Sequence, residues 1–266
     1  MTILYSFILG IIEGLTEFLP ISSTAHLIIA GEWLKIPQTE FLKSFEISIQ
    51  LGAILSVIIL YWKRIVNNLN IIWKLLAAFI PTSIIGLAFY KIIKNYLMEN
   101  LKIISLSLLL GGIIIILFER WYAKKQKAIT TENGDNDDLD LKSISYKQAI
   151  ILGIAQAIAV IPGVSRSGAT IIGGLAQNIK RKTIVEFSFL LAIPTMLAAT
   201  LFDIYKNPSI FSGDQLTIWG VGFVTAFITA IIGVKFFIKY IQKNDFKAFG
   251  WYRIILGILI LISLFR

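Results

Sequence analysis

Long apolar runs broken by short charged joints set the pattern of this chain. Residues 215–234 pass twenty positions without a charge, and residues 47–62, 75–90 and 103–118 pass sixteen each. A spanning helix needs about 20 mainly apolar residues, and about 17 suffice when flanking Lys, Trp and Tyr reach the interface. Residues 183–202 and 254–265 add two further runs, and the longest extends over 217–238. The pattern predicts an all-α polytopic membrane protein with about six spanning helices. Two stretches interrupt it. Residues 18–29 read "FLPISSTAHLII" and residues 160–172 read "VIPGVSRSGATII". In both, a helical run meets Pro, then small and hydroxyl residues, then a second apolar run.

These interruptions organise the chain into two similar halves. Pro20 precedes Phe45 by 25 residues, Pro162 precedes Phe187 by 25, and three spanning candidates follow each. Between the halves lies "KKQKAITTENGDNDDLDLKSISY", with a basic head and an acidic middle holding Asp135, Asp137, Asp138 and Asp140. This cluster lacks the distal Glu and the Gly placement of a calcium loop, so it reads as a solvated connector. The expected layout is a first repeat at 1–122, a polar cytoplasmic linker at 123–145 and a second repeat at 146–266.

Charge then sets the topology. The positive-inside bias places Lys180-Arg181-Lys182, the Arg120/Lys124/Lys125/Lys127 group and Lys235/Lys239/Lys243/Lys247/Arg253 in the cytoplasm. The segment 203–216 carries one Lys and falls outside. Lys91, Lys94 and Lys102 also fall outside, against the bias. Three spans per half is an odd number, so the halves are inverted, with both termini on the outer face. The Pro-Ser segments then cannot span, and they read as two re-entrant helix pairs. Irregular backbone at membrane depth is tolerated only where it is buried in protein or lines a watery cavity. Inverted repeats with broken helices place a site at the repeat interface.

Composition narrows the classes. Hydrophobic residues make up 56% of the 266 and charged residues 15%, against about 45–50% and about 25% in soluble domains. The net charge of +9 does not point to nucleic acid, because the basic residues lie at segment ends. With no cysteine, disulfides, thiolate catalysis and Cys-ligated metals are excluded. Residues 1–12 hold no Lys or Arg, so the start is read as mature sequence rather than a signal peptide.

The candidate chemistry sits at the two interruptions. Glu13 and Glu17 are one helical turn apart, about 5–6 Å between Cβ atoms, and in a low dielectric they repel unless a cation or proton sits between them. Pro20 is expected to end their helix, and Ser22 or Ser23 to cap the next, with His26, the sole histidine, in its first turn. After Pro162-Gly163, Ser165 is expected to cap a helix that carries Arg166, Ser167 and Thr170. Two helix N-termini at one depth make an anion site, and Arg166 adds a fork suited to phosphate. An acid pair suits a hard divalent ion shared with substrate oxygens. With His26 as proton carrier and a serine as nucleophile, the set fits metal-assisted phosphoryl transfer. Other polar groups have plainer readings: Glu32, Glu40 and Glu186 as interfacial carboxylates, and any single Ser or Thr as a back-bonded helix residue.

The segments "EGLTEFLPISSTAHLI" and "PGVSRSGAT" closely resemble the two signatures of the bacterial undecaprenyl pyrophosphate phosphatase family, the BacA-type bacitracin-resistance proteins. The likeness extends through "FEISIQLGAILSVI" and "EFSFLLAIPTM" to nearly the whole chain. It implies hydrolysis of a C55 polyprenyl diphosphate to the monophosphate carrier of peptidoglycan synthesis, with a divalent cation, Mg2+ or Ca2+. It also implies a multi-pass protein of the bacterial cytoplasmic membrane with its site open toward the outer face. Bacitracin would compete indirectly by binding the substrate, and a homodimer is compatible. By the resemblance, Glu13 and Glu17 match the acidic motif and serve as metal ligands, with Glu17 also catalytic. Ser22-Ser23 match the hydroxyl pair, His26 the histidine, and Ser165, Arg166, Ser167 and Thr170 the second motif. Ser23 is the nucleophile it favours and His26 the rival. Ala25 stands where Gly is common, and Ile161 where Trp is common. A transporter or flippase for a polyprenyl phosphate is the competing class, with Glu13 and Glu17 as proton or ion sites.

Overall fold

The computed structural model describes residues 1–97, 100–129, 141–206 and 213–265. Among them the chain is helical throughout, with no strand. The first half holds α1 (Ile3–Thr16), α2 (Ser23–Trp33), α3 (Glu40–Ser48), α4 (Gln50–Val66), α5 (Asn70–Ile92) and α6 (Leu101–Ile129). The second holds α7 (Tyr146–Ala157), α8 (Arg166–Ala176), α9 (Arg181–Lys206), α10 (Asp214–Ile241) and α11 (Lys247–Ser263). Among the described residues five stretches are long and apolar enough to cross a membrane: Glu40–Val66, Asn70–Ile92, Leu101–Lys125, Arg181–Lys206 and Gln215–Ile241. The sixth expected span lies in α11, whose 17 residues give about 25 Å at about 1.5 Å per residue. That is at the short limit for a bilayer core.

Local chemistry explains most boundaries. The Ser145 hydroxyl accepts the Gln148 N–H at 3.2 Å while the Gln148 side chain accepts the Ser145 N–H at 2.9 Å, a reciprocal cap that starts α7. Thr39 starts α3 by accepting from the Leu42 N–H. The expected connector begins later than its composition suggests. α6 continues through Ile129, and Lys125 Nζ donates to Asn178 Oδ1 at 2.6 Å. Asp135, Asp137, Asp138 and Asp140 lie outside the described residues.

The helices interlock across the halves. α1 packs along α10, α7 along α5, and α6 along α11. Small residues permit the approach. A Cβ on Gly10 would stand 2.7 Å from the Gly222 carbonyl, so α1 and α10 meet backbone to backbone there. Phe45 and Phe187, at matching distances from the two prolines, are both fully buried.

Two charges contradict the sequence reading. Arg253 was expected with the cytoplasmic lysines, yet it is 1% exposed. Its guanidinium donates to the carbonyls of Gly163 at 2.8 Å and of Pro20, Val164 and Ser107 at 3.1 Å. Backbone that leaves the helical ladder inside a bundle must find partners within the protein, and one arginine supplies them to both interruptions. Glu186 was expected at the interface and is instead buried, in an ion pair with Arg64 of α4. Glu32 and Glu40 are exposed, as expected.

Replacing Arg253 by Met should release both interruptions. Each orphaned buried carbonyl costs about 1–3 kcal/mol, so the melting temperature in detergent should drop sharply. A midpoint unchanged from wild type would show that Arg253 does not hold the breaks.

Candidate active site

Glu17 is the C-cap of α1, with helical dihedrals and its N–H on the Glu13 carbonyl, so the two acids keep their one-turn relation. The helix itself stops at Thr16, short of Pro20. α2 starts at Ser23, and α8 starts at Arg166 beyond the Pro162-Gly163 break. Gly163 has φ +92, and a Cβ there would stand 2.7 Å from the Ile104 carbonyl, so glycine alone suits this turn.

The serines ahead of the two helices share an uncommon backbone. Ser22 has φ 71 and ψ 90, and Ser165 has φ 69 and ψ 111. Such a conformation costs about 1–3 kcal/mol and collects at functional sites. The two differ in capping. Ser165 accepts from the Gly168 N–H at 3.1 Å, while the Ser22 side chain makes no cap bond. The first-turn N–H groups of α2 are therefore open to an anion.

Between the breaks lies a cavity of about 190 Å³, lined among others by Glu17, Ser22, Ser23, Ser165 and Arg166. Ser23 donates its hydroxyl to Glu17 Oε2. The other oxygen, Glu17 Oε1, accepts from Arg166 Nη2 at 3.1 Å. Arg166 Nη1 donates to the Ser188 carbonyl at 2.7 Å, and its Nε is buried without a partner. One carboxylate thus joins a serine of the first half to an arginine of the second. A second cavity of about 470 Å³ has mainly apolar walls, Phe79, Leu87, Ile93 and Phe202 among them. Thr24, Gln50, Thr82 and Thr195 line both cavities.

Four sequence candidates stand outside the cavity lining: Glu13, His26, Ser167 and Thr170. His26 Nδ1 meets the Ser22 carbonyl at 2.7 Å and Nε2 meets the Tyr252 hydroxyl at 2.7 Å. A carbonyl only accepts, so Nδ1 carries the proton and Nε2 accepts from Tyr252. His26 steadies the turn at Ser22 rather than lining the cavity. Ser167 donates to the Phe18 carbonyl at 2.9 Å, in the turn between α1 and α2. Thr170 donates back to the Arg166 carbonyl at 2.9 Å. Both hydroxyls are committed to backbone and buried outside the cavity lining.

Glu13 is fully buried, and neither of its carboxylate oxygens has a hydrogen-bond partner. Among the described residues no group of three or more His, Cys, Asp or Glu is placed to hold a metal. Glu13 lines neither cavity, so a cation resting on it would be shared with Glu17, the acid that does line the polar cavity. The sequence reading missed Gln50, Thr82, Gln156 and Thr195. Their signal was a polar residue inside an apolar run, and Thr82 and Thr195 both follow an Ile-Pro pair. It also missed Glu46, 4% exposed with Oε1 unpartnered on the wall of the larger cavity.

Fold and site together define a multi-pass, all-α membrane protein whose polar cavity shares part of its wall with a larger, mainly apolar chamber. The chain belongs to the BacA family: the model described as "Bacitracin resistance protein BacA" matches residues 6–259. It is 48% identical over 258 residues to a protein of Aquifex aeolicus named undecaprenyl-diphosphatase, covering 97% of each chain. A Campylobacter jejuni protein of the same name is 50% identical over 255 residues, covering 96% of this chain and 91% of the relative. A third, from Methanococcus aeolicus, is 45% identical over 266 residues and covers both chains fully.

Proposed function

We propose that this protein hydrolyses undecaprenyl diphosphate to the monophosphate and orthophosphate, recycling the lipid carrier of peptidoglycan synthesis. The observation that carries this is the chain Ser23–Glu17–Arg166 in a polar cavity that shares part of its wall with a larger, mainly apolar chamber. Glu17 takes the Ser23 proton as Oγ attacks the terminal phosphorus. The bond from that phosphorus to the bridging oxygen breaks, and the lipid monophosphate leaves with the electron pair. Glu17 passes its proton to that leaving lipid phosphate, then takes a proton from the water that attacks the phosphoserine. It hands this proton to Ser23 Oγ, so orthophosphate departs and the Ser23 hydroxyl is restored. Arg166 and the uncapped N–H groups of α2 face the charge on the transferring phosphoryl group. The polyprenyl diphosphate's tail occupies the apolar chamber. Bacitracin competes indirectly, by binding the substrate, and a homodimer is compatible with this arrangement. A transporter of polyprenyl phosphate would explain a repeated architecture but gives no role to a hydroxyl held on a carboxylate. Rapid acid quench with substrate labelled in the terminal phosphate should leave label on the peptide containing Ser23. Label on His26 would transfer the nucleophile's role to the imidazole.

The buried, unpartnered oxygens of Glu13 fit a divalent cation, which when bound would neutralise phosphate charge as a Lewis acid. Exhaustive chelation should therefore stop wild-type hydrolysis, with Mg2+ or Ca2+ restoring it. Hydrolysis that survives chelation would instead assign Glu13 and Glu17 a shared proton.

The orientation follows from the same reading. Residues 1–122 and 146–266 are two repeats of opposite direction, supported by the exchange in which α1 packs on α10 and α7 on α5. The protein sits in the bacterial cytoplasmic membrane with its cavity open outward and its acidic linker inside. Asn136→Cys should resist an impermeant thiol reagent in intact cells and react after permeabilisation. Reaction in intact cells would reverse the topology.

A further inference from the structure

We infer that Gln50, with Thr24, seats the second, lipid-proximal phosphate of the substrate and so sets specificity for a diphosphate. The inference rests on the proposed reaction and adds a binding site to it. The polar cavity holds the charged groups Glu17 and Arg166, and the larger cavity has mainly apolar walls. A lipid diphosphate with its terminal phosphorus at Ser23 and its tail in the larger cavity must pass the neck that both share. Its proximal phosphate then lies at that neck, one bridging oxygen from the transferring group.

The neck carries no charged side chain: one part of its wall is apolar, from Ala159, Val160, Pro162 and Ala199, and the other is polar. Thr24, Gln50, Thr82 and Thr195 reach it from α2, α4, α5 and α9. Two of these hydroxyls are already engaged: Thr82 donates to the Gly153 carbonyl at 2.9 Å, and Thr195 to the Leu191 carbonyl at 2.9 Å. Among the described residues Gln50 and Thr24 make no side-chain hydrogen bond. The Gln50 side chain is half-buried, and its amide offers two N–H donors to a ligand at the neck. Local structure aims it. The helix Glu40–Val66 is interrupted at Ile49, between α3 and α4, and Gln50 is the first residue beyond the interruption. Glu46 is one turn before Gln50, on the same face, and lines only the larger cavity. The donor therefore stands at the neck, and the acid lies on the tail side, where no phosphate is placed.

The chemistry fits the number of charges. In an alkyl diphosphate the proximal phosphate bears one ionisable oxygen, so neutral donors suffice for it. The terminal phosphate bears more charge and meets Arg166. A site that binds both phosphates through separate groups loses one subsite when the matching donor is removed, and the other is unaffected.

The test compares two inhibitors of phosphate release from a polyprenyl diphosphate, using the full-length protein in detergent. Inorganic phosphate fits the terminal subsite alone, and methylenediphosphonate spans both. Gln50→Leu should raise KM about tenfold or more, as for loss of a hydrogen bond to a charged group, with kcat changed less. It should weaken methylenediphosphonate by a similar factor and leave the inhibition constant of inorganic phosphate within about twofold. Thr24→Val, which keeps the side-chain shape, should show the same selective shift at smaller size. Equal weakening of both inhibitors, or of neither, in both variants would overturn the assignment. Failure of the wild type to release phosphate would instead strike the proposed reaction, so the two failures are distinguishable.

Discussion

Ser23→Ala should lower phosphate release by on the order of 10⁴–10⁶-fold, as for removal of an activated nucleophile. The hydroxyl is bonded to Glu17 Oε2, and that carboxylate is held in turn by Arg166 Nη2 at 3.1 Å. Alanine fits the first turn of α2 without strain, so the cavity and the substrate affinity should survive. The loss should fall on kcat, with KM nearly unchanged. Ser22→Ala is the matching control. The Ser22 side chain makes no cap bond, and its position ahead of α2 is set by backbone and by the His26 contact with its carbonyl. Its loss should be far smaller. Comparable losses in the two variants, or retained turnover in Ser23→Ala, would remove Ser23 from the chemistry.

Arg166→Lys should cost about 10²–10³-fold in kcat, roughly 2.7–4 kcal/mol, as for loss of one preorganised transition-state donor. The guanidinium here already spans two anchors, the Glu17 carboxylate and the Ser188 carbonyl at 2.7 Å. It still presents Nε and the remaining N–H groups of its terminal nitrogens. A lysine keeps the charge but is a point donor without a plane. It can reach Glu17 or a phosphate oxygen, and it cannot hold Ser188 at the same time. The thermal midpoint should change little, because the α8 cap at Ser165 and the Thr170 bond to the Arg166 carbonyl remain. Activity within about threefold of wild type would make Arg166 a structural counter-ion.

Much of this was legible in the pattern of the chain. The apolar runs named every spanning helix, because a helix in lipid satisfies its own backbone and needs only length and greasiness. The two Pro-Ser interruptions named the helix pairs, because proline and small polar residues break that rule visibly. Ser23, Glu17 and Arg166 came from the same stretches. What stayed hidden depends on partners from distant segments. Arg253 near the start of α11 looks like any basic residue at a helix end. Its partners are carbonyls at Pro20, Ser107 and Gly163, and carbonyls carry no sequence signal. Ser167 and Thr170 looked equivalent to Ser165, but their hydroxyls turn to the Phe18 and Arg166 carbonyls. His26 was read by its chemistry, whereas its neighbours, Ser22 and Tyr252, make it a brace. The length of α6 was misjudged for another reason: "KKQKAI" is polar, and polar residues end a span without ending a helix.

The central claim is that these two interruptions form a single hydrolytic site for a lipid diphosphate. Purified, detergent-solubilised protein given undecaprenyl diphosphate tests it most directly, because hydrolysis needs no second compartment and transport does. Release of one orthophosphate per lipid monophosphate formed, lost in Ser23→Ala, is the predicted result. Intact diphosphate after prolonged incubation with Mg2+ or Ca2+ present, alongside lipid movement across sealed vesicles, would contradict it.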